Sequence, residues 1–290
     1  MIDVVAYPFI TDLDPILEQF PVKDWGKYHK RFKIGGVKVT VDGSPQGRTA
    51  AFTTSYLHGG PGGEQFRNGE LTFPQATINQ MVKRVYDMQV PLILHANGDA
   101  AIDAFLTAHE IAARGELEKF RNTTLIHAQF TRKDQIAKYA RYQIRPSYYT
   151  LHTFYFADAH INNRGERQAM YISPMRDTID AGIHPTNHTD FVVAPLDQMF
   201  MLWSAVNRMS RGGTVIGADQ RVRPLEGLKS MTIWAAEQYG EEASKGSLAV
   251  GKLADLVILD QNPLTVEPLK IRNIRVLETI KEGRTIYTAK

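Results

Sequence analysis

From Gly35 to about Gly240, short apolar runs alternate with segments whose apolar residues recur at helical spacing. No other property restricts the fold as much, because strands separated by helices of about ten to fifteen residues pair as parallel βαβ units. GGVKVTVDG sets Val37, Val39 and Val41 in alternation with Lys38, Thr40 and Asp42, the period of a strand. After a Gly- and Pro-rich loop, residues 73–90 place Ile78, Met81, Val82 and Val85 at helical spacing, with Pro74 near the start. PLILH leads through Asn97 and Gly98 into DAAIDAFLTAHEIAARGE, where Asp99 is expected to cap the helix. TTLIHAQ passes into TRKDQIAKYARYQ, IRPSYYT into a loop and then RQAMYISPMRDTIDAG, and GIHPTNHTD into DQMFMLWSAVNRMS and LEGLKSMTIWAAEQYG. The spacing predicts five strands, each followed by a helix.

Such a chain forms either an open doubly wound sheet or part of a closed barrel. The open sheet usually binds nucleotides through a Gly-rich turn, and no GxGxxG or Walker-type lysine loop stands at any strand–helix junction. Titratable residues favour the barrel: Lys38, His95, His127 and Asp190, with His188 two places before it, each lie in or at the end of a strand-like run. Residues far apart in sequence then converge at the carboxyl ends of the strands, where such barrels place their chemistry. From about residue 245 the character changes to strand–turn–strand, in GSLAVGKLADLVILDQNPL and IRVLETIKEGRTIYTAK. Residues 1–244 are therefore expected to form a partial (β/α) barrel and 245–290 a small β portion.

The chain has no cysteine, so a bound metal must use nitrogen and oxygen ligands, and a thiol nucleophile is excluded. Its 34 basic and 31 acidic residues include no long basic run, which argues against a nucleic-acid surface. No window is apolar enough to span a membrane and the start carries no signal-peptide pattern. No membrane association and a cytoplasmic location are expected.

Five stretches in order, GGVKVTVDGSPQGRTA, LHANGDAAID, LIHAQF, HTDFVVAPLDQ and SKGSLAVGKLADLVILDQNPL, closely resemble the metal-dependent amidohydrolase superfamily, amidohydrolase-3 type. The resemblance implies a TIM-barrel-like fold of which this chain holds strands four to eight, plus a C-terminal β-sandwich portion. It implies Lys38 as the fourth-strand lysine, carboxylated in many relatives to bridge two metal ions. His95 and His127 correspond to the fifth- and sixth-strand ligands, and Asp190 to the aspartate that binds metal and moves the proton of the attacking water. Zinc is the expected ion, with manganese or iron as alternatives, and His127 and Asp190 are the candidate catalytic residues. His152, in the loop expected after IRPSYYT, and His188 are the candidate substrate-binding residues. Two departures stand out. His188 and Thr189 replace the small residue and serine that commonly precede the aspartate, and no two of the nine histidines are separated by one residue, so the first-strand His-x-His pair is absent.

Each assignment has a plainer competitor. A single strand-end histidine is more often a hydrogen-bonded structural residue, and Lys38 can pair with Asp42. His109 falls on a helical face and is assigned no chemistry; His29, His58, His160 and His184 are unassigned. Tyr56, Phe66, Tyr149, Phe154 and Tyr155 are candidates for an aromatic pocket. The expected activity is metal-dependent hydrolysis of a carbon–nitrogen bond in a small amide-like, non-peptide substrate. The alternative is an inactive truncated amidohydrolase serving as a binding or oligomerising module. Residues 1–30 are too few for three βα units, so a truncated reading frame, completion by a missing N-terminal half, or an adapted partial barrel that forms homo-oligomers are all expected solutions. Met1 followed directly by the strand-like IDVVAYPF favours truncation.

Overall fold

The structure is a computed structural model and describes residues 2–290. Among the described residues ten strands lie in three sheets. β1 (Val4–Ala6) and β2 (Phe32–Ile34) pair in parallel. The central sheet contains β3 (Val37–Thr40), β4 (Leu92–Ala96), β5 (Thr123–His127), β6 (Arg145–Tyr148) and β7 (Thr186–Asn187), all parallel and in sequence order. β8 (Leu256–Leu259), β9 (Val276–Lys281) and β10 (Arg284–Thr288) form an antiparallel sheet.

The burial of the strands follows from the sequence pattern. Val37, Val39 and Val41 are fully buried, while Lys38 and Thr40, on the other face, keep some exposure. β4 is buried on nearly every residue, which is why PLILH reads as a continuous apolar run. Over one face pack the helices Gln75–Asp87, Asp99–Ala112 and Lys133–Tyr142, which bury Ile78, Val82, Ile102, Phe105, Ile136 and Tyr139 in one core with Val39, Leu94 and Leu125. At about 25 cal/mol per Å² of apolar surface, each such side chain contributes roughly 1.5–3 kcal/mol when buried.

The opening residues are partly ordered by this sheet. Lys38 N–H donates to Pro8 O at 2.8 Å and Phe9 bridges to Lys38 in parallel, so the chain start lies along the outer side of β3. Residues 150–165, expected as a loop, are instead mostly helical, over His152–Tyr155 and Ala157–Arg164. Short helices rich in aromatic and polar residues leave no clear apolar period.

The C-terminal stretch contributes one three-stranded sheet, and a 3-10 helix at Pro268–Asn273 fastens it to the helix Gln198–Asn207. Ile271 and Ile274 pack with Met199, Leu202, Trp203 and Val206, and Trp203 Nε1 donates to Leu269 O at 3.1 Å. Among the described residues no helix is long and apolar enough to cross a membrane.

Candidate metal centre

His95 is the fourth residue of β4, His127 the last of β5, and His188 and Asp190 follow β7 directly. All four therefore stand at the carboxyl end of the parallel sheet. The ring centroids of His95 and His127 are 4.4 Å apart, and those of His127 and His188 5.0 Å. One ligand atom each from His127, His188 and Asp190 lies within 4.8 Å of the other two.

Strict alternation does not produce this cluster. Ala96, not His95, lies across from His127, so a regular strand would point the two imidazoles to opposite faces. His127 has φ of 73° and Ala128 of 46°, and this left-handed turn brings the ring back beside His95. Asp190 is also left-handed, with φ of 53°. Such backbone costs of order 1–3 kcal/mol per residue and persists where surrounding packing fixes it, often at functional sites.

His127 Nδ1 and His188 Nε2 are buried and have no hydrogen-bond partner among the described residues. Two orphaned imidazole nitrogens beside a carboxylate fit a divalent cation, because each offers a lone pair that the protein leaves unused. For His188 the other nitrogen, Nδ1, is 3.2 Å from Ser147 Oγ. If Nδ1 carries the proton and donates to that hydroxyl, Nε2 is left as the free ligand atom.

Electrostatics supports the same reading. Burial, with the neighbouring His95, His188 and Lys38 adding to it, holds His127 well below the usual imidazole pKa, and burial pushes His188 down to about 3. Both are neutral at pH 7, the form that binds metal. Burial raises the Asp190 carboxyl, against the opposing pull of His95 and Lys38. Burial lowers Lys38 to about 8, with Asp190 acting in the other direction.

Lys38 and His95 lie near enough to act electrostatically on His127, His188 and Asp190, and His95 is not among the three whose ligand atoms lie within 4.8 Å of one another. Lys38 does not pair with Asp42: no carboxylate oxygen among the described residues lies within 4.0 Å of its ammonium. His95 Nε2 faces Asn97 Nδ2 at 3.1 Å and Asp42 Oδ1 at 3.5 Å. Asp42 is a residue that the sequence pattern passed over. Its Oδ1 accepts Asn97 N–H at 2.9 Å, and its Oδ2 accepts Gly98 N–H at 2.9 Å and Ala51 N–H at 3.0 Å. It thereby fixes the turn that follows His95. A strand-end Asp before Gly, in VDGS, is the only local signal it leaves.

His188, expected at the substrate, offers one of the ligand-type atoms of the group. His152 is buried rather than lining an open mouth, with Nδ1 2.8 Å from His160 Nε2 and the two rings stacked at 5.0 Å. The five candidate aromatics do not form one pocket. Tyr56 packs with Phe52, Phe154 with Tyr155, Phe200 and Trp203, and Phe66 is 85% exposed. Tyr149 alone reaches the centre, its ring 5.6 Å from His188 and its buried hydroxyl without a partner. Asp99 does not cap its helix, whose N-cap is Gly98. Its carboxylate instead accepts Thr53 N–H at 2.9 Å, Thr53 Oγ–H at 2.5 Å and Arg132 Nη1–H at 3.1 Å.

Comparison with known proteins gives concordant matches. A sequence profile described as the Amidohydrolase family matches residues 18–287. The N-substituted formamide deformylase of Arthrobacter pascens is 26% identical over 220 residues, covering 76% of this chain and 40% of that protein. The crystal structure of an uncharacterized metal-dependent hydrolase from Pyrococcus furiosus superposes with TM-score 0.75 at 28% identity, covering 91% of this chain and 51% of that one. One from Pyrococcus horikoshii gives 0.77 at 25% identity, with 92% and 52% covered. The chain thus spans about half the length of these relatives, or less.

Proposed function

Because the chain belongs to the amidohydrolase family, we propose that it is a metal-dependent hydrolase acting on a carbon–nitrogen bond of a small, amide-like, non-peptide substrate. The observation that carries this reading is the group His127, His188 and Asp190, with one ligand-type atom of each within 4.8 Å of the others, together with an unpartnered buried nitrogen on each of the two imidazoles. An N-substituted formamide is the substrate class we infer, from the name of the Arthrobacter relative.

A divalent ion, for which we favour zinc, supplies a polarised carbonyl and a bound water whose pKa falls from about 15.7 toward roughly 7. His127 and His188 would hold it, with His95 and Lys38 as further ligands. Asp190 accepts the proton of the attacking water and returns it to the departing nitrogen; its raised pKa brings it nearer the pH at which it must do both. The lowered Lys38 pKa makes a neutral amine accessible near pH 8, and carboxylation of that amine would convert a repelling cation into an anionic ligand. Asp42 and Asn97 position His95.

The proposed architecture is strands four to eight of a (β/α) barrel over residues 1–244, with 245–290 as one layer of a β-sandwich. The pairing of the chain start with β3 supports the first part. A binding or oligomerising role draws support from a separate observation. Phe191, Val192 and Val193, immediately after Asp190, are 64%, 79% and 56% exposed, an apolar run that a second polypeptide would cover.

The test is metal analysis and amine release from N-benzylformamide by the full chain after expression in zinc-supplemented medium. We expect bound zinc and hydrolysis, with Asp190→Asn slowing the rate by about 10²–10⁴-fold. Protein free of zinc, manganese and iron after supplementation would overturn the catalytic reading and leave the binding role.

A further inference from the structure

A cavity of about 290 Å³ opens at the end of the sheet opposite His95 and His127. Its residues Pro91 and Gly35 precede β4 and β3, whereas the metal-centre residues close the strands, and the strands are parallel. The two sites are therefore separated by the length of the sheet.

Two tyrosines line this cavity, Tyr7 after β1 and Tyr239 after the helix Ile233–Gln238, with ring centroids 6.4 Å apart. Among the described residues neither hydroxyl has a hydrogen-bond partner. The Tyr7 ring lies on Gly35 and Gly36: a Cβ on either would come within 2.8 Å of it, and one on Gly36 also within 2.1 Å of Pro91 O. The GG pair that opens the first strand-like run thus holds the Tyr7 ring in place. Lys33 adds a buried ammonium, its side chain 7% exposed and Nζ 2.6 Å from Glu241. Glu241 is itself shared with Lys245 at 2.7 Å and the Tyr28 hydroxyl at 2.8 Å, so no free carboxylate lines the space. Val22, Trp25 and Val90 supply apolar wall.

We propose that this cavity binds a small monocarboxylate with a planar apolar body, its oxygens accepting hydrogen bonds from Tyr7 and Tyr239 and its charge facing Lys33. Charge-assisted hydrogen bonds of this kind are about twice as strong as neutral ones, and the apolar wall takes the body. Burial, with the Glu241 carboxylate adding to it, raises both phenols above their usual pKa, so they remain protonated donors at physiological pH.

Benzoate is the probe, titrated calorimetrically into the full chain with and without zinc. Saturable binding is expected in both states, weakened about tenfold by Tyr7→Phe and by Tyr239→Phe, each of which removes one hydrogen bond to a charged group. Both substitutions retain the ring, so an unchanged thermal midpoint confirms the fold. Benzyl alcohol, which lacks the charge, is expected to bind more weakly than benzoate. The proposal fails if benzoate shows no saturable binding, if both variants bind it as the wild type does, or if chelation abolishes binding, which would put the probe on the metal centre.

Discussion

Asp42 shows how a residue without a motif can govern one that has it. Three backbone N–H groups, of Ala51, Asn97 and Gly98, converge on a carboxylate with no exposed side-chain surface. Removing it strands three buried donors, and each such group costs about 1–3 kcal/mol. Asp42→Ala is therefore expected to lower stability by about 3 kcal/mol or more, read as a fall in the urea midpoint, whereas a change below about 0.5 kcal/mol would deny it this role. That Lys38, His95, His127 and Asp190 lie in or at the ends of strand-like runs was legible in the sequence, and the structure sets His95, His127 and Asp190 at the carboxyl end of the sheet. The place of His188 among the ligand atoms was not legible, because it depends on a non-repeating turn after β7. The imidazoles also set a pH dependence. His188 is lowered to about 3 and His127 also lies well below 6.5, so their contribution to stability is complete above about 6.5 and is lost as pH falls through that window. Asp190, with its raised pKa, acts oppositely: in metal-free protein its ionised form opposes folding at neutral pH. Asp190→Asn should then raise the melting temperature of the metal-free protein at pH 7 while diminishing stabilisation by added zinc. A metal-free variant melting below the wild type would contradict this.

Among the elements, the junction between β4 and the following helix is tightly constrained. Gly98 is packed so that a Cβ would lie 1.9 Å from Ala51 O, a backbone atom that cannot move aside alone. Gly98→Ala should therefore cost about 1–3 kcal/mol through overpacking and, by displacing Asn97, weaken zinc binding at the neighbouring site. A calorimetric zinc titration beside thermal unfolding checks both, and unchanged values would show that the junction relaxes freely. The turn itself was readable from Asn97–Gly98, but the role of Asp99 was not. Capping is a local tendency, and here the long-range partners Thr53 and Arg132 take the carboxylate instead. The helices His152–Tyr155 and Ala157–Arg164 escaped for a related reason. They are stabilised less by an apolar stripe than by buried polar pairs such as His152–His160, which no periodicity reveals.

At the scale of the whole molecule, the two ends of the chain are tied by charge rather than by strand pairing. Asp3 meets Arg31 at 2.7 Å, Lys245 at 3.1 Å and Lys281 at 3.2 Å, and Glu282 in turn meets Arg31 at 2.9 Å. Sequence separations of this size put the network beyond any local pattern, although the parallel alternation from β3 to β7 was readable throughout. The three cations hold the Asp3 carboxyl below its usual range despite the opposing effect of burial. A depressed carboxylate contributes stability that is present above its unfolded pKa of about 3.9 and is lost as pH falls below it. Asp3→Asn removes the hub while leaving Arg31, Lys245 and Lys281 facing one another. The expected result is faster amide exchange in β9 and β10 at pH 7, with the difference from wild type shrinking in high salt and near pH 3. Because these groups are partly solvated, the loss per pair should be near 1 kcal/mol or less. The core around Ile102 and Leu94 is held by apolar packing and not by these ion pairs, and should exchange as in the wild type. Equal acceleration in β4 and β9 would mean instead that Asp3 supports the whole fold and not the union of its two ends.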